Sequence, residues 1–66
     1  MRVVVNDMQR QVQDGTTVTQ LLEADHEPIG HVLVEINGVQ LHVHEYGTRV
    51  LESDDRIEII YPAAGG

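Results

Sequence analysis

Apolar and polar residues alternate in several stretches of this chain, and a period of two is typical of strands that bury one face. In the last such stretch Ile57, Ile59 and Tyr61 fall on one side, which we expect to face inward, whereas Glu58 and Ile60 fall on the other. Strands are predicted at residues 1–5, 9–12, 32–36, 40–42 and 56–61.

The apolar period changes to that of a helix between the second and third strands. Val18, Leu21 and Leu22 recur at the spacing of one helix face, and Thr17 with Gln20 fits a capping box at its start. We predict a short helix over residues 18–24. Pro28 and Gly30 prevent this helix from continuing further.

Turn signals separate these elements. Asn37-Gly38 predicts a tight hairpin turn because both residue types tolerate positive φ, and Asp14-Gly15 is a second turn pair. A single loose turn is expected at residues 45–48. The resulting order, strand–strand–helix–strand–strand–strand, is the β-grasp plan. We therefore predict an α+β fold with a mixed five-stranded sheet, one helix across one face, and the first and last strands parallel at its centre.

Composition narrows the function classes. With 66 residues the chain forms one small domain, which leaves little material for an enclosed catalytic pocket, so we expect a carrier or binding module and no enzyme. A net charge of −7 argues against nucleic-acid binding and favours a partner with a basic face. No apolar run predicts a signal peptide or membrane span, so we expect a cytoplasmic protein.

Several segments resemble the sulfur-carrier protein of thiamine biosynthesis, a ubiquitin-like family, over essentially the whole chain. The matching segments are Asn6-Asp7, Gly15-Thr16-Thr17-Val18, Leu21-Leu22-Glu23, Val34-Glu35-Ile36-Asn37-Gly38, Asp55-Arg56-Ile57-Glu58-Ile59 and the terminal Gly65-Gly66. Where the family usually has Asp-Gly-Asp before the last strand, this chain has Ser53-Asp54-Asp55, and we expect Asp to adopt the left-handed conformation there at a local cost. The loop over residues 25–31 and the histidines match nothing specific.

The resemblance implies chemistry at the C-terminus. We expect two parts: a domain over residues 1–61 and a flexible tail, Pro62-Ala63-Ala64-Gly65-Gly66. The tail is expected to enter a channel in a partner protein. An E1-like adenylyltransferase would use ATP to convert the Gly66 carboxylate to an acyl-adenylate. A persulfide donor would then supply sulfur for a thiocarboxylate, which thiazole synthase receives. The chain binds no cofactor in this scheme, and because it has no cysteine its sulfur must sit on the terminal carbonyl.

Strand phase suggests where partners dock. Val4, Leu33 and Ile60 point outward on strands expected to be neighbours, so we predict an exposed apolar stripe on the sheet face opposite the helix. Glu35 and Glu58 would flank it as charges.

Alternative readings remain open at this stage. The chain could carry sulfur to another pathway, such as molybdopterin or an amino acid. It could be a ubiquitin-like modifier joined through Gly66 to lysines of targets, or an interaction domain without terminal chemistry. His42 and His44 on one side of a strand beside Glu45 could suggest a metal site, but two ligands do not close one. We interpret these residues, with His26 and His31, as solvated histidines.

Overall fold

The computed structural model describes residues 1–62, which form a five-stranded mixed sheet and one α-helix. The strands are β1 (Arg2–Val5), β2 (Met8–Gln11), β3 (Leu33–Ile36), β4 (Val39–Gln40) and β5 (Arg56–Ile60), and the helix is α1 (Val18–Ala24). Short 3-10 helices occupy Ile29–His31 and Val43–Glu45. The strand order is β2-β1-β5-β3-β4, with β1 and β5 parallel and the other pairs antiparallel. This confirms the predicted β-grasp fold.

Both hairpins turn through residues with positive φ. Asn6 and Asp7 have φ of 48° and 67°, and Asn37 and Gly38 have φ of 53° and 84°. Two consecutive left-handed residues match the right-handed twist of the strands they join, which is why such turns dominate short hairpins.

The Asn6 side chain continues the pairing of β1 with β5 beyond the end of β1. Val4 and Val5 are the residues of β1 in register with β5, and the Asn6 N–H donates to the Ile57 carbonyl at 2.9 Å. Beyond them the Asn6 Oδ1 accepts a hydrogen bond from the Ile59 N–H at 2.8 Å, and Nδ2 donates to the Ile59 carbonyl at 3.4 Å. A side chain therefore satisfies backbone groups of β5 that would otherwise lack a strand partner.

Helix α1 is capped at both ends. The predicted capping box is present, with the Gln20 N–H donating to the Thr17 hydroxyl and the Thr17 N–H to the Gln20 side chain. At the other end the His26 N–H donates to the Glu23 carbonyl at 3.0 Å and the Glu27 N–H to the Leu22 carbonyl at 2.9 Å. These bonds form a Schellman motif with His26 in the left-handed conformation at φ 57°. The helix therefore ends before it reaches the proline.

A buried layer of aliphatic side chains joins the helix to the sheet. The core consists of Val3, Val5, Val18, Leu21, Leu22, Val32, Val34, Ile36, Tyr46, Leu51, Ile57 and Ile59. Tyr46 is its one aromatic member, is 3% exposed, and donates its hydroxyl to the Val32 carbonyl at 3.4 Å. The loose turn predicted over residues 45–48 therefore also contributes to the core, because the ring of Tyr46 packs there.

The structure corrects two local predictions. The fourth strand comprises Val39–Gln40 instead of residues 40–42, because the tight turn pairs Ile36 directly with Val39 and the chain then leads into a 3-10 helix. Tyr61 is 57% exposed instead of inward. It keeps the phase of the inward residues of β5, but it lies one position beyond the end of that strand, and α1 ends at Ala24.

A buried carboxylate fastens the loop before β5. Asp55 is 6% exposed and accepts hydrogen bonds from the Asn37 side chain at 3.0 Å, the Glu52 N–H at 2.8 Å and the Arg49 guanidinium at 3.2 Å. The preceding Asp54 has φ 68°, which confirms the left-handed aspartate expected at this departure from the family pattern.

An ion pair connects the edge strand β2 to the end of α1. The Nη1 and Nη2 atoms of Arg10 donate to the two oxygens of the Asp25 carboxylate, at 2.5 and 2.8 Å. The hydrogen bond to Asp25 raises the pKa of Arg10 above its usual value, since the pairing stabilises the charged guanidinium.

Within residues 1–62, no helix has the length and apolar character needed to cross a bilayer.

Candidate functional site

Leu33 and Ile60 lie at the same end of the sheet face opposite the helix. The antiparallel pairing of β3 with β5 places them directly opposite each other, and they are 38% and 37% exposed. Side chains opposite each other in such a pair lie within contact distance. The two residues form a small apolar patch, here called the 33/60 patch, at the end of β5 from which the chain leaves the sheet.

Val4 is not part of this patch, so the predicted continuous stripe is wrong in that respect. Parallel pairing places Val4 beside Arg56 at the start of β5, and Ile60 lies four residues further along the strand. At roughly 3.3 Å per residue this separates the two by about 13 Å, too far for side-chain contact. The error came from assigning neighbouring strands without their register.

Two glutamates separate the apolar residues. Glu35 and Glu58 lie directly opposite each other across β3 and β5, half-buried, and next to the 33/60 patch. Like charges in directly opposed positions of a sheet are destabilising. On the same face the guanidinium of Arg56 is 3.4 Å from the Asp7 carboxylate. The face therefore offers an acidic pair beside an apolar patch, which suits a partner with basic and apolar groups.

The C-terminal segment follows this patch directly. Pro62 is exposed and is the last described residue; Ala63, Ala64, Gly65 and Gly66 lie outside the described part of the chain. The Tyr61 hydroxyl donates to the carboxylate of Glu27, which belongs to the loop after α1. This hydrogen bond raises the pKa of Tyr61 above its usual value, because it favours the neutral phenol and the nearby carboxylate opposes a phenolate.

The histidines do not converge on a site in the described residues. His42 and His44 stack with ring centroids 5.4 Å apart, but they lie in and beside a 3-10 helix, not on a strand as predicted. Across residues 1–62 no group of three or more His, Cys, Asp or Glu side chains is arranged to hold a metal ion. His26 has a structural role as the left-handed residue that ends α1.

An open groove of about 360 Å³ lies between β2 and α1 and is lined by polar side chains together with Val12, Leu21 and Ala24. Its charged member, Arg10, is already paired with Asp25. The groove therefore presents no free charged group to a substrate.

Comparison with known proteins identifies the family. The ThiS family model matches residues 2–66. The chain belongs to the ThiS family. No curated protein gives a significant match.

Solved structures of the same kind share the fold of this ThiS-family chain. A crystal structure of a thiamine biosynthesis protein (ThiS) from Geobacter metallireducens is 29% identical, with a TM-score of 0.88 and 100% of each chain covered. A solution structure of a thiamine biosynthesis protein from the same organism is also 29% identical, with a TM-score of 0.78, covering 100% of this chain and 88% of that one.

Sequence reasoning missed the contact of Glu27 with Tyr61. The signal was present in the phase of Tyr61, which falls on the helix side of β5, and in the acid that follows the helix on that side. Their distance depends on the reversal of the chain at the left-handed His26, which the sequence pattern did not indicate.

Proposed function

We propose that this chain is the sulfur carrier of thiamine biosynthesis and that the sulfur is carried on the C-terminal carbonyl of Gly66. The observation that carries the proposal is the family match, which extends through the terminal Gly65-Gly66 to the end of the chain. The fold of residues 1–62 also supports the proposal. The β-grasp domain places β5 at the centre of the sheet, so the residues that follow Ile60 leave from a well-packed strand.

The chemistry begins with an unreactive carboxylate. An E1-like adenylyltransferase binds ATP, and a carboxylate oxygen of Gly66 attacks the α-phosphorus while pyrophosphate leaves. The terminal sulfur of a persulfide donor then attacks the carbonyl carbon, and AMP departs with the bridging oxygen. A thiol reductant cleaves the resulting S–S bond and leaves a thiocarboxylate on Gly66, a soft nucleophile that resembles a thiolate. Thiazole synthase is the proposed acceptor.

The chain acts as substrate and carrier in this scheme, not as catalyst. With no cysteine it cannot hold sulfur as its own persulfide. The tail residues Pro62, Ala63, Ala64 and Gly65 lack large or charged side chains, which suits entry into a narrow channel of the partner.

Mass spectrometry tests the terminal chemistry. The full chain is incubated with ATP, the adenylating enzyme and a sulfur source, and the intact protein and its C-terminal peptide are measured. We expect an exchange of oxygen for sulfur that maps to Gly66, whereas oxidation of Met1 or Met8, nearly equal in mass, would map elsewhere. A variant lacking Gly66 is the control. Lysine-linked adducts without sulfur exchange would instead identify a protein modifier, and would refute the proposal.

The 33/60 patch is the proposed docking surface, with Glu35 and Glu58 as flanking charges. Ile60→Asp places a carboxylate in the patch, and we expect it to weaken both adenylation and sulfur transfer. Val43→Asp is the matched control, because Val43 is 59% exposed and lies outside this face in a 3-10 helix. Equal activity of the two variants would show that partners dock elsewhere.

A further inference from the structure

The loop between α1 and β3 has no counterpart among the family-like segments, yet its start is closely defined. His26 and Glu27 donate their backbone N–H groups to carbonyls of the last helical turn, and His26 takes the left-handed conformation that reverses the chain. The Glu27 backbone is therefore attached to the helix, and the helix is attached to the core through Leu21 and Leu22. Glu27 is a half-buried residue whose backbone is fixed by these bonds.

Tyr61 connects the end of β5 to that position. Among the side-chain hydrogen bonds of residues 1–62, the bond from its hydroxyl to Glu27 is the one nearest the C-terminal end. More than half of the Tyr61 side chain is exposed, so burial alone does not hold the ring. The next residue is Pro62, whose ring fixes its own φ and which has no N–H to donate.

Tyr61 is the one residue between the paired Ile60 and Pro62, so its torsions contribute to the direction in which the chain leaves the sheet. Ile60 is held by pairing with Leu33, and φ of residue 62 is set by the proline ring. Holding the Tyr61 side chain against Glu27 restricts the remaining torsions. We propose that Glu27 is a positioning residue that orients the C-terminal segment through Tyr61; this rests on the proposed function, in which a partner enzyme must bind that segment.

The expected benefit is preorganisation. A segment that leaves the domain in one direction loses less conformational entropy when a partner channel binds it. The contact acts on binding and not on the chemistry at the carbonyl, so its removal should raise KM for the carrier and leave kcat unchanged. For the loss of one hydrogen bond we expect roughly a fivefold increase in KM.

The test compares Tyr61→Phe, Glu27→Ala and the double variant in the adenylation reaction with the full chain. Each single change should raise KM by about fivefold, and the double variant should match the single ones, since both remove the same contact. Glu23→Ala is the matched control: it removes an exposed carboxylate from the neighbouring helix and should leave KM unchanged. Thermal unfolding should show every variant folded at the assay temperature, with Tyr61→Phe and Glu27→Ala lowering the Tm by no more than the loss of one exposed hydrogen bond.

A second measurement does not depend on any partner. Backbone ¹⁵N relaxation of the free protein should show a lower order parameter at Tyr61 in both single variants, with no change in β5. If the order parameter stays the same, or if KM is unaffected or rises equally in Glu23→Ala, the positioning role is refuted. Failure of the unmodified chain to be adenylated would instead refute the proposed function, and the relaxation result would still decide the role of Glu27.

Discussion

Replacing Asp55 tests how the turn of one hairpin and the loop before β5 are held together. Its buried carboxylate accepts from the Asn37 amide, the Glu52 N–H and the Arg49 guanidinium. Asp55→Ala leaves these donors without their acceptor. Breaking a buried charge pair typically costs about 3–5 kcal/mol. Because the Arg49 side chain is 29% exposed and can be rehydrated, we expect about 2–4 kcal/mol here.

That loss is large for so small a domain. At roughly 0.05–0.15 kcal/mol per residue, the whole chain has about 3–10 kcal/mol of stability. Each kcal/mol shifts the Tm of a domain of this size by about 4–8 °C, so Asp55→Ala should lower it by about 8–30 °C. Asp55→Asn keeps the shape of the side chain and one acceptor oxygen, but its amide NH2 group faces groups that are themselves donors. It should therefore lower the free energy of unfolding by about 1–3 kcal/mol.

Circular dichroism during heating and urea titration measures the effect. Asp54→Asn is the matched control: it removes one carboxylate from the adjacent position, tolerates the left-handed φ of 68°, and loses only an exposed contact with Arg2. It should cost less than about 1 kcal/mol. A Tm for Asp55→Ala within about 3 °C of the unmodified protein, or an equal effect of Asp54→Asn, would show that the hydrogen bonds of Asp55 contribute little net stability.

Two further predictions concern the loop after α1. His26→Gly should raise the free energy of unfolding by about 0.5–1 kcal/mol, because glycine adopts the left-handed conformation without the steric cost of a Cβ; a lower urea midpoint would contradict this. The Tyr61 phenol should titrate above its usual pKa. Because its pKa is higher in the folded than in the unfolded state, the stability that the protonated phenol contributes is complete at pH values below the unfolded-state pKa. This stability is lost as the pH rises through the folded-state pKa. Glu27→Gln should lower that pKa in an NMR titration, and an unchanged titration would show that the hydrogen bond does not form in solution.

Local patterns predicted the elements that local forces determine. The capping box at Thr17 and the turn at Asn37-Gly38 form as expected, because each depends on residues only a few positions apart. The alternation in β5 placed Ile57 and Ile59 in the core for the same reason.

The errors arose where a position depends on distant residues. Tyr61 has the phase of a core residue, but its burial depends on how far the helix extends. Tyr46 lies in an irregular turn, and its burial depends on space between the helix and the sheet that no periodicity reveals. The distance of Val4 from Ile60 depends on strand register, which the order of elements does not define.

The family-like segments meet each other in the folded chain. Asn6 hydrogen-bonds both backbone groups of Ile59, and the Asn37 side chain contacts both Asp55 and the Arg56 N–H. All of these contacts hold β5 or the residue before it, from both neighbouring hairpins. β5 is also the strand that leads to the C-terminus, so in the proposed function the shared residues hold the strand from which Gly66 would be presented. Glu27 adds a contact at the far end of the same strand from a loop outside the family pattern, which is why its removal should change presentation of the tail and leave the fold intact.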